Sequence, residues 1–312
     1  MIDYQFNTAD LFFALPELFM VAAIALILLL DLFVSERFQN LTYYLTQSTL
    51  AITGYLAFNL IGESAVIFDG TFVLDTIGSY FKVFMMVFSI VALVYSRHYL
   101  RAHNLLKGEY FILSLLSVLG MMVMVSAHSM LTIYLGLEIM SLSLYTLIAI
   151  ARDRAVAVEA ALKYFVLGAI ASGLLLYGMS MIYGITGSLD IGQIAAFATS
   201  ANLNSEQVLI LNFGLVFLVI GIAFKFGAVP FHMWVPDVYQ GAPTSVTMFL
   251  STVPKIAATA MLVRLLIDGL GGLQAYWADL FMILAILSIG LGSLVALMQT
   301  NIKRLLAYST IS

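Results

Sequence analysis

Residues 223–255 read AFKFGAVPFHMWVPDVYQGAPTSVTMFLSTVPK. This stretch holds four of the five prolines in the chain, Pro230, Pro236, Pro243 and Pro254; the other is Pro16. It also sets Lys225 and Lys255 in apolar surroundings, with His232 and Asp237 between them. The sequence on either side reads as membrane-spanning helix. Inside a bilayer, irregular backbone is tolerated only against protein or beside a hydrated cavity. A lysine at the centre of a spanning helix costs about 2.5–3.5 kcal/mol on insertion scales. A segment that combines a broken backbone with buried lysines is expected to line an ion pathway, not to act as a passive anchor.

Composition sets the frame for that reading. The 312 residues are 62% hydrophobic and only 10% charged, with a mean hydropathy of +1.05. No water-soluble domain of this length has such a balance, whereas a spanning helix needs roughly 20 apolar residues and the chain supplies run after run of them. Cysteine is absent, which excludes a disulfide framework and thiolate metal sites. Four scattered histidines (His98, His103, His128, His232), a formal charge of −4 and the lack of a basic cluster give no sign of nucleic-acid binding. No GxGxxG, P-loop, HExxH or CxxC motif occurs, so no nucleotide, flavin or iron–sulfur motif is present. Met121, Met122 and Met124 read as packing residues. The first apolar run, Leu11 to Phe33, has no basic residues before it and is too long for a signal-peptide core. It reads as a retained first helix.

The pattern predicts spans over 11–33, 43–62, 73–97, 110–127, 129–151, 157–183, 207–228, 243–268 and 276–299. A tenth begins at Ile302, and its 11 residues to Ser312 reach only about 16 Å, half a hydrocarbon core. The chain therefore reads as the N-terminal part of a longer protein. With the N-terminus outside, the inner connections hold Arg37, then Arg97, Arg101 and Lys107, then Arg152 and Arg154, then Lys303 and Arg304. Among the basic residues of the connections, only Arg264 lies toward the outer side; Lys82, Lys163, Lys225 and Lys255 fall within helices. That asymmetry fixes the expected orientation. Between Gly184 and Glu206, the spacing of Ile191, Ile194, Ala195, Phe197 and Ala198 predicts a short amphipathic helix lying at the outer interface.

The charged residues inside the spans are the candidate site. Glu138 shares a face of the fifth span with Tyr134, Ser141 and Tyr145, a polar stripe on an oily helix. Lys163 follows Glu159 by four residues in the sixth span, a favourable helix pair. Lys225 precedes Gly227 and Pro230, and residues 208–239 are too many for one straight span. A helix that breaks after Lys225, an irregular segment and a second short helix are expected. Proline frees a carbonyl near residue i−4, and a desolvated ammonium exchanges its proton more readily. Lys255 lies in mid-helix after Pro254, with Ser251, Thr252, Thr259 and Thr247 on or near its face, a plausible wall for a water wire. His232 in the break has the intrinsic pKa for proton relay. Asp237 after Pro236 is placed to cap the second short helix. Lys82 and Asp31, nearer helix ends, are weaker candidates.

Five stretches then show a resemblance: LGLEIMSLSLY (Leu135–Tyr145), EAALKYF (Glu159–Phe165), FKFGAVPFHMWVPDVYQGAPT (Phe224–Thr244), VPK (Val253–Lys255) and NIKRLLAYSTIS (Asn301–Ser312). Together they resemble the antiporter-like membrane subunits of respiratory complex I, the proton-translocating NADH:quinone oxidoreductase of bacteria, over nearly the whole chain. The resemblance implies an all-α polytopic membrane protein, an antiporter-like helical bundle with a broken seventh helix, built from two inverted five-helix repeats. On that basis residues 1–109 form an N-terminal three-helix segment. Residues 110–268 form the first repeat with a proton half-channel, and 269–312 begin a second repeat that is cut short.

By the same resemblance Glu138, Lys163, Lys225 and Lys255 are the proton-translocating residues, with His232, Asp237 and Glu159 secondary. It further implies that this chain carries no cofactor and no redox centre. NADH, FMN, iron–sulfur clusters and quinone belong to partner subunits, and the partners are the other membrane subunits and the lipid bilayer. The expected place is the bacterial inner membrane, multi-pass, with the N-terminus on the periplasmic side. In the expected mechanism, quinone reduction elsewhere shifts the electrostatics of a row of buried charges. A free-standing or Mrp-like sodium/proton antiporter, and a purely structural membrane arm, are the alternatives.

Overall fold

The computed structural model describes residues 8–33, 40–200 and 203–312. Arg37, one of the expected inner-side basic residues, lies outside them. The described chain is helical nearly throughout: α1 Thr8–Phe13, α2 Leu15–Asp31, α3 Asn40–Asn59, α4 Thr76–Ala102, α5 Gly108–Val125, α6 Met130–Ile148, α7 Ala155–Thr186, α8 Ile191–Ala198, α9 Ser205–Phe226, α10 Trp234–Gly241, α11 Thr244–Leu262, α12 Gln274–Leu297 and α13 Ile302–Ile311. Every expected span has its helix, and the helix starting near Ile302 is present. Among the described residues, seven helical stretches are long and apolar enough to cross a membrane. α11 runs on without interruption into a π-helical stretch, Val263–Gly269, so Thr244–Gly269 makes one such span.

The chain folds as two compact units, residues 1–150 with 244–260 and residues 151–243 with 261–312. In the first unit, α5 and α6 cross at glycine. A Cβ on Gly136 would lie 2.7 Å from the Gly120 carbonyl oxygen, and one on Gly120 would fall on the Met140 amide nitrogen. Lipid offers no hydrophobic drive for helices to associate, so close backbone approach through small residues supplies the packing energy. Pro16 occupies the first turn of α2, where a missing N–H is no loss.

The connection between α3 and α4 is a β-hairpin, whose second strand takes the first residues of the span expected over 73–97. β1 (Ala65–Ile67) pairs antiparallel with β2 (Phe72–Leu74), Ala65 opposite Leu74. Phe68, Asp69 and Gly70 take positive φ in the turn, which the Asp-Gly dipeptide favours. Ile67, Phe72 and Leu74 pack on Ala14 and Leu60. The Val73 amide donates to the Ser126 carbonyl (2.8 Å), so the hairpin docks on the α5–α6 turn.

In the second unit, α7 and α9 also meet at glycine: a Cβ on Gly178 would lie 2.7 Å from the Gly214 carbonyl oxygen. α9 starts with a capping box in which Asn204 and Gln207 bond each other's backbone amides, at 2.8 and 3.0 Å. The expected short helix between α7 and α9 is α8. Asp190 caps it by accepting from the Gln193 amide (2.8 Å). Its buried residues Ile191, Ile194 and Ala198 pack on protein and not on lipid. A Cβ on Gly269 would meet Ile191, and one on Gly272 would meet Ala198, so the π-helical and following turns form the surface that α8 covers.

The glycine crossing has a direct consequence. Gly136→Val is expected to lower stability by more than about 1–3 kcal/mol, because only backbone atoms stand in the way and neither helix can yield. Gly173→Ala, where an added Cβ meets nothing within 4 Å, is expected to be neutral or stabilising. Thermal unfolding of the two purified variants in detergent checks the contrast.

Candidate functional site

The break after Lys225 is the most elaborately built part of the second unit. α9 ends at Gly227, whose φ of 75° places it in the left-handed region that glycine alone adopts freely. The Gly227 amide donates to the Phe224 carbonyl (3.0 Å) and the Ala228 amide to the Ala223 carbonyl (2.9 Å). The indole N–H of Trp234 adds a second bond to the Phe224 carbonyl (3.0 Å). After the break, the Val229 amide donates to Ser288 Oγ of α12 (2.9 Å), and Phe231 and Val235 donate to the carbonyls of Ala228 and His232. The Val229–Pro230 peptide is cis. α10 then resumes with its own short run. The expected order of broken helix, irregular segment and second short helix is the order found.

Aromatic rings brace this turn. Trp234 stacks on Tyr164 of α7 with centroids 4.5 Å apart and lies 5.5 Å from Phe224. A cavity of about 190 Å³ beside it is lined by Leu167, Ile170, Phe224, Pro230 and Trp234, among others. Lys225 is 92% buried here, since its relative exposure is 8%, with its ammonium 5.8 Å from the Phe224 ring centroid. His232 lies half-buried within the break, and its Nδ1 has no hydrogen-bond partner.

Lys163 departs from expectation. Its side chain is 44% exposed on the surface of this chain, not buried in it. It pairs with Glu159 (2.9 Å), as the spacing predicts, and with Asp237 (2.8 Å). Asp237 does not cap α10: the N-cap position is Met233, with no side-chain bond. Its carboxylate instead takes Lys163 on one oxygen and Arg304 of α13 on the other, both at 2.8 Å. Arg304 also donates to Gln240 (3.1 Å), and the Lys303 ammonium donates to the Ala242 carbonyl (2.8 Å). A cavity of about 160 Å³ is lined by Glu159, Lys163, Asp237 and Gln240 together with Val156, Ala160 and Gly241. Glu159, Lys163, Asp237 and Arg304 thus form one ionic cluster joining α7, α10 and α13. The role of Arg304 is not legible from sequence, where it reads only as an inner-side basic residue.

Glu138 and Lys255 belong to the first unit. Glu138 is half-buried in α6 and its Oε1, shielded from solvent, has no hydrogen-bond partner. Tyr134 and Tyr145 are the neighbours on which its charge acts, as the stripe predicts. Lys255 is half-buried in α11. Three of the four hydroxyls expected to line a water wire beside it are turned to their own helix. Ser251 and Thr252 donate to the Met248 carbonyl at 3.1 and 2.9 Å, and Thr259 to the Lys255 carbonyl at 3.0 Å. Each keeps lone pairs that can accept a further hydrogen bond.

A further buried pair escaped the sequence reading. Lys82 of α4, only 1% exposed, pairs with Glu17 of α2 at 2.5 Å. Lys82 reads from sequence as a peripheral residue. Its partner stands 65 positions earlier, beyond any local spacing rule. No group of three His, Cys, Asp or Glu side chains that could hold a metal occurs among the described residues.

Residues 127–312, more than half of the chain, match the family model described as NADH:quinone oxidoreductase/Mrp antiporter, TM. The chain belongs to this antiporter-like membrane family. One relative in it, NADH-quinone oxidoreductase subunit N of Ruthia magnifica, is 72% identical over 99% of this chain. The subunit N of Alkalilimnicola ehrlichii is 50% identical, also over 99%. The chain spans 64% and 63% of the length of these two relatives. Among solved structures, a chain of respiratory complex I from Thermus thermophilus with bound Aureothin superposes with a TM-score of 0.77 at 30% identity, covering 95% of this chain and 61% of that one. A chain of the Mrp complex from Dietzia has the same fold, with a TM-score of 0.78 at 21% identity over 97% of this chain and 57% of that one.

Within this antiporter-like family member, Trp234 is the pin of the broken helix. Trp234→Phe keeps most of the stacking but leaves a buried carbonyl without one of its donors. A loss of about 1–3 kcal/mol in unfolding free energy is expected. Chemical denaturation in detergent, against Met233→Leu as a control at the exposed neighbour, measures it.

Proposed function

We infer that this chain is part of a subunit N, a membrane-arm component of a proton-translocating NADH:quinone oxidoreductase, and that Glu138, Lys163, Lys225 and Lys255 carry protons within it. The carrying observation is Lys225, an ammonium buried at the end of a helix that is deliberately broken and re-satisfied. Intramembrane ionisable groups are rare, costly and tied to transport. Residues 110–268 are proposed as the first repeat, 1–109 as an N-terminal segment and 269–312 as the beginning of the second repeat. The basic residues Arg97, Arg101, Lys107, Arg152, Arg154, Lys303 and Arg304 support an N-terminus on the periplasmic side of the inner membrane.

The proposed chemistry needs no redox group in this chain. NADH, FMN, iron–sulfur clusters and quinone act in partner subunits, and their reaction shifts the charge state of titratable groups here. A unit charge brought to or removed from about 4 Å changes the energy of its neighbour by about 4 kcal/mol at an effective dielectric of 20. That corresponds to roughly three pKa units, enough to load and unload a lysine near neutral pH. Asp237 is proposed to govern Lys163. While Arg304 also holds this carboxylate, the two cations compete for it, and movement of α13 relative to α10 changes how firmly Lys163 keeps its proton.

The test uses the complete complex in sealed vesicles. Lys255→Met and Glu138→Gln are each expected to lower NADH-driven proton translocation several-fold, along with the quinone reductase coupled to it. Wild-type pumping in both variants overturns the assignment. Sodium movement by the chain in the absence of any redox partner points to an antiporter instead.

A further inference from the structure

α2, α3, α4 and α5 of the first unit bury an unusual set of polar side chains away from the residues assigned above. Glu17 and Asp31 stand fourteen positions apart on α2, which is about 21 Å along one face. α3 buries Thr42, Thr46, Thr49 and Thr53, at intervals of three and four residues. α4 buries Ser79, Lys82, Ser89 and Ser96 on one face. The hydroxyls of Thr46, Thr53, Ser79 and Ser89, and that of Ser117 on α5, have no hydrogen-bond partner although they are fully shielded.

The contacts fix how these groups line up. Gln47 donates to the Ile90 carbonyl and Arg97 to Asn40, so α3 and α4 run antiparallel with Thr53 level with the turn after Lys82. By the same register Thr46 lies between Ser89 and Ser96. Tyr110 donates to Ser96 (3.2 Å), which puts Ser117 level with Ser89. At one end Lys82 pairs with Glu17, and Ser126 donates to the same Glu17 oxygen (3.4 Å). At the other end Thr42 donates to Asp31 (2.6 Å), and a Cβ on Gly108 would fall on the Asp31 carboxylate. A polar group therefore recurs at every helical turn, about 5 Å apart, between two carboxylates. That step is the reach of one bridging water, and buried hydroxyls without protein partners are what such waters satisfy.

We propose that α2–α5 enclose a second proton-conducting track, with the Glu17–Lys82 pair as its proton-holding site and Asp31 at its opposite end. The proton moves from Lys82 Nζ to a Glu17 oxygen, leaving a neutral amine and a carboxylic acid. The acid releases its proton to water on the Ser126 side. The amine takes a replacement from water hydrogen-bonded along Thr53, Ser89 and Thr46, drawn from the Asp31 end. One proton crosses and no electrons move. The ion pair and its neutralised form both carry no net charge, which suits a site in low dielectric, and the pair bears a charge of −1 only between release of the proton and its replacement.

This inference rests on the reading of the whole protein as a proton translocator. The decisive variant is Thr46→Val with Thr53→Val, which removes two hydroxyls, keeps the side-chain shape and alters no charge. In the complete complex reconstituted into liposomes and shown to be fully assembled, the expected result is fewer protons moved per electron. An unchanged ratio of protons to electrons overturns the track. Glu17→Gln with Lys82→Met is expected to lower the same ratio; if that variant does not assemble, the threonine pair alone decides. Glu138→Gln serves as reference. Lowered pumping there with a normal ratio in the threonine variant defeats only the second track, whereas normal pumping in both Glu138→Gln and Lys255→Met defeats the translocator reading itself.

Discussion

Backbone amides and carbonyls freed inside hydrocarbon must find partners in the protein itself, and the end of α9 shows what that requirement costs in sequence. A glycine at positive φ, a tryptophan indole aimed at a carbonyl, and a serine offered by α12 are all committed to one break. The bracing then reaches outward. Tyr164 stacks on the tryptophan and so fixes α7 against α10, and α10 presents Asp237 to Lys163 and Arg304. The break is thus the point from which the ionic cluster of the second unit is positioned.

The charges of this chain are held in three distinct environments. Glu17 and Lys82 form a tight pair almost wholly out of solvent, where removing one partner strands the other in low dielectric. Lys163 and Asp237 are substantially exposed on this chain, so their attraction is modest and readily changed by a neighbouring charge. Lys225 is buried beside the Phe224 ring at a helix terminus.

Sequence periodicity located the helices because each long apolar run is bounded by polar or glycine-rich turns. The broken helix was equally legible: Pro230 and Pro236 following Lys225 leave no continuous alternative. The hairpin at Ala65–Leu74 was signalled by Asp69-Gly70 but hidden by strands of only three residues. Asp237 misled because an acidic residue after a proline has the chemistry of a cap, and only the fold reveals Lys163 and Arg304, more than sixty positions away on either side. Glu17 was invisible for the same reason. Its position in the first turn of α2 looks like an ordinary acidic residue near a helix start, and only its burial against Lys82 shows otherwise. The π-helical stretch at Val263–Gly269 leaves no sequence mark at all; its Arg264–Asp268 pair has the spacing of a common α-helical pair.

The most direct test bears on Lys225. In the complete complex reconstituted into liposomes with a trapped pH indicator, Lys225→Met keeps the size of the side chain and removes only its charge. Assembly and the backbone bonds of the break are expected to survive, with NADH-driven acidification falling several-fold. Acidification at the wild-type rate, in a complex shown to be fully assembled, would contradict a proton route through the broken helix.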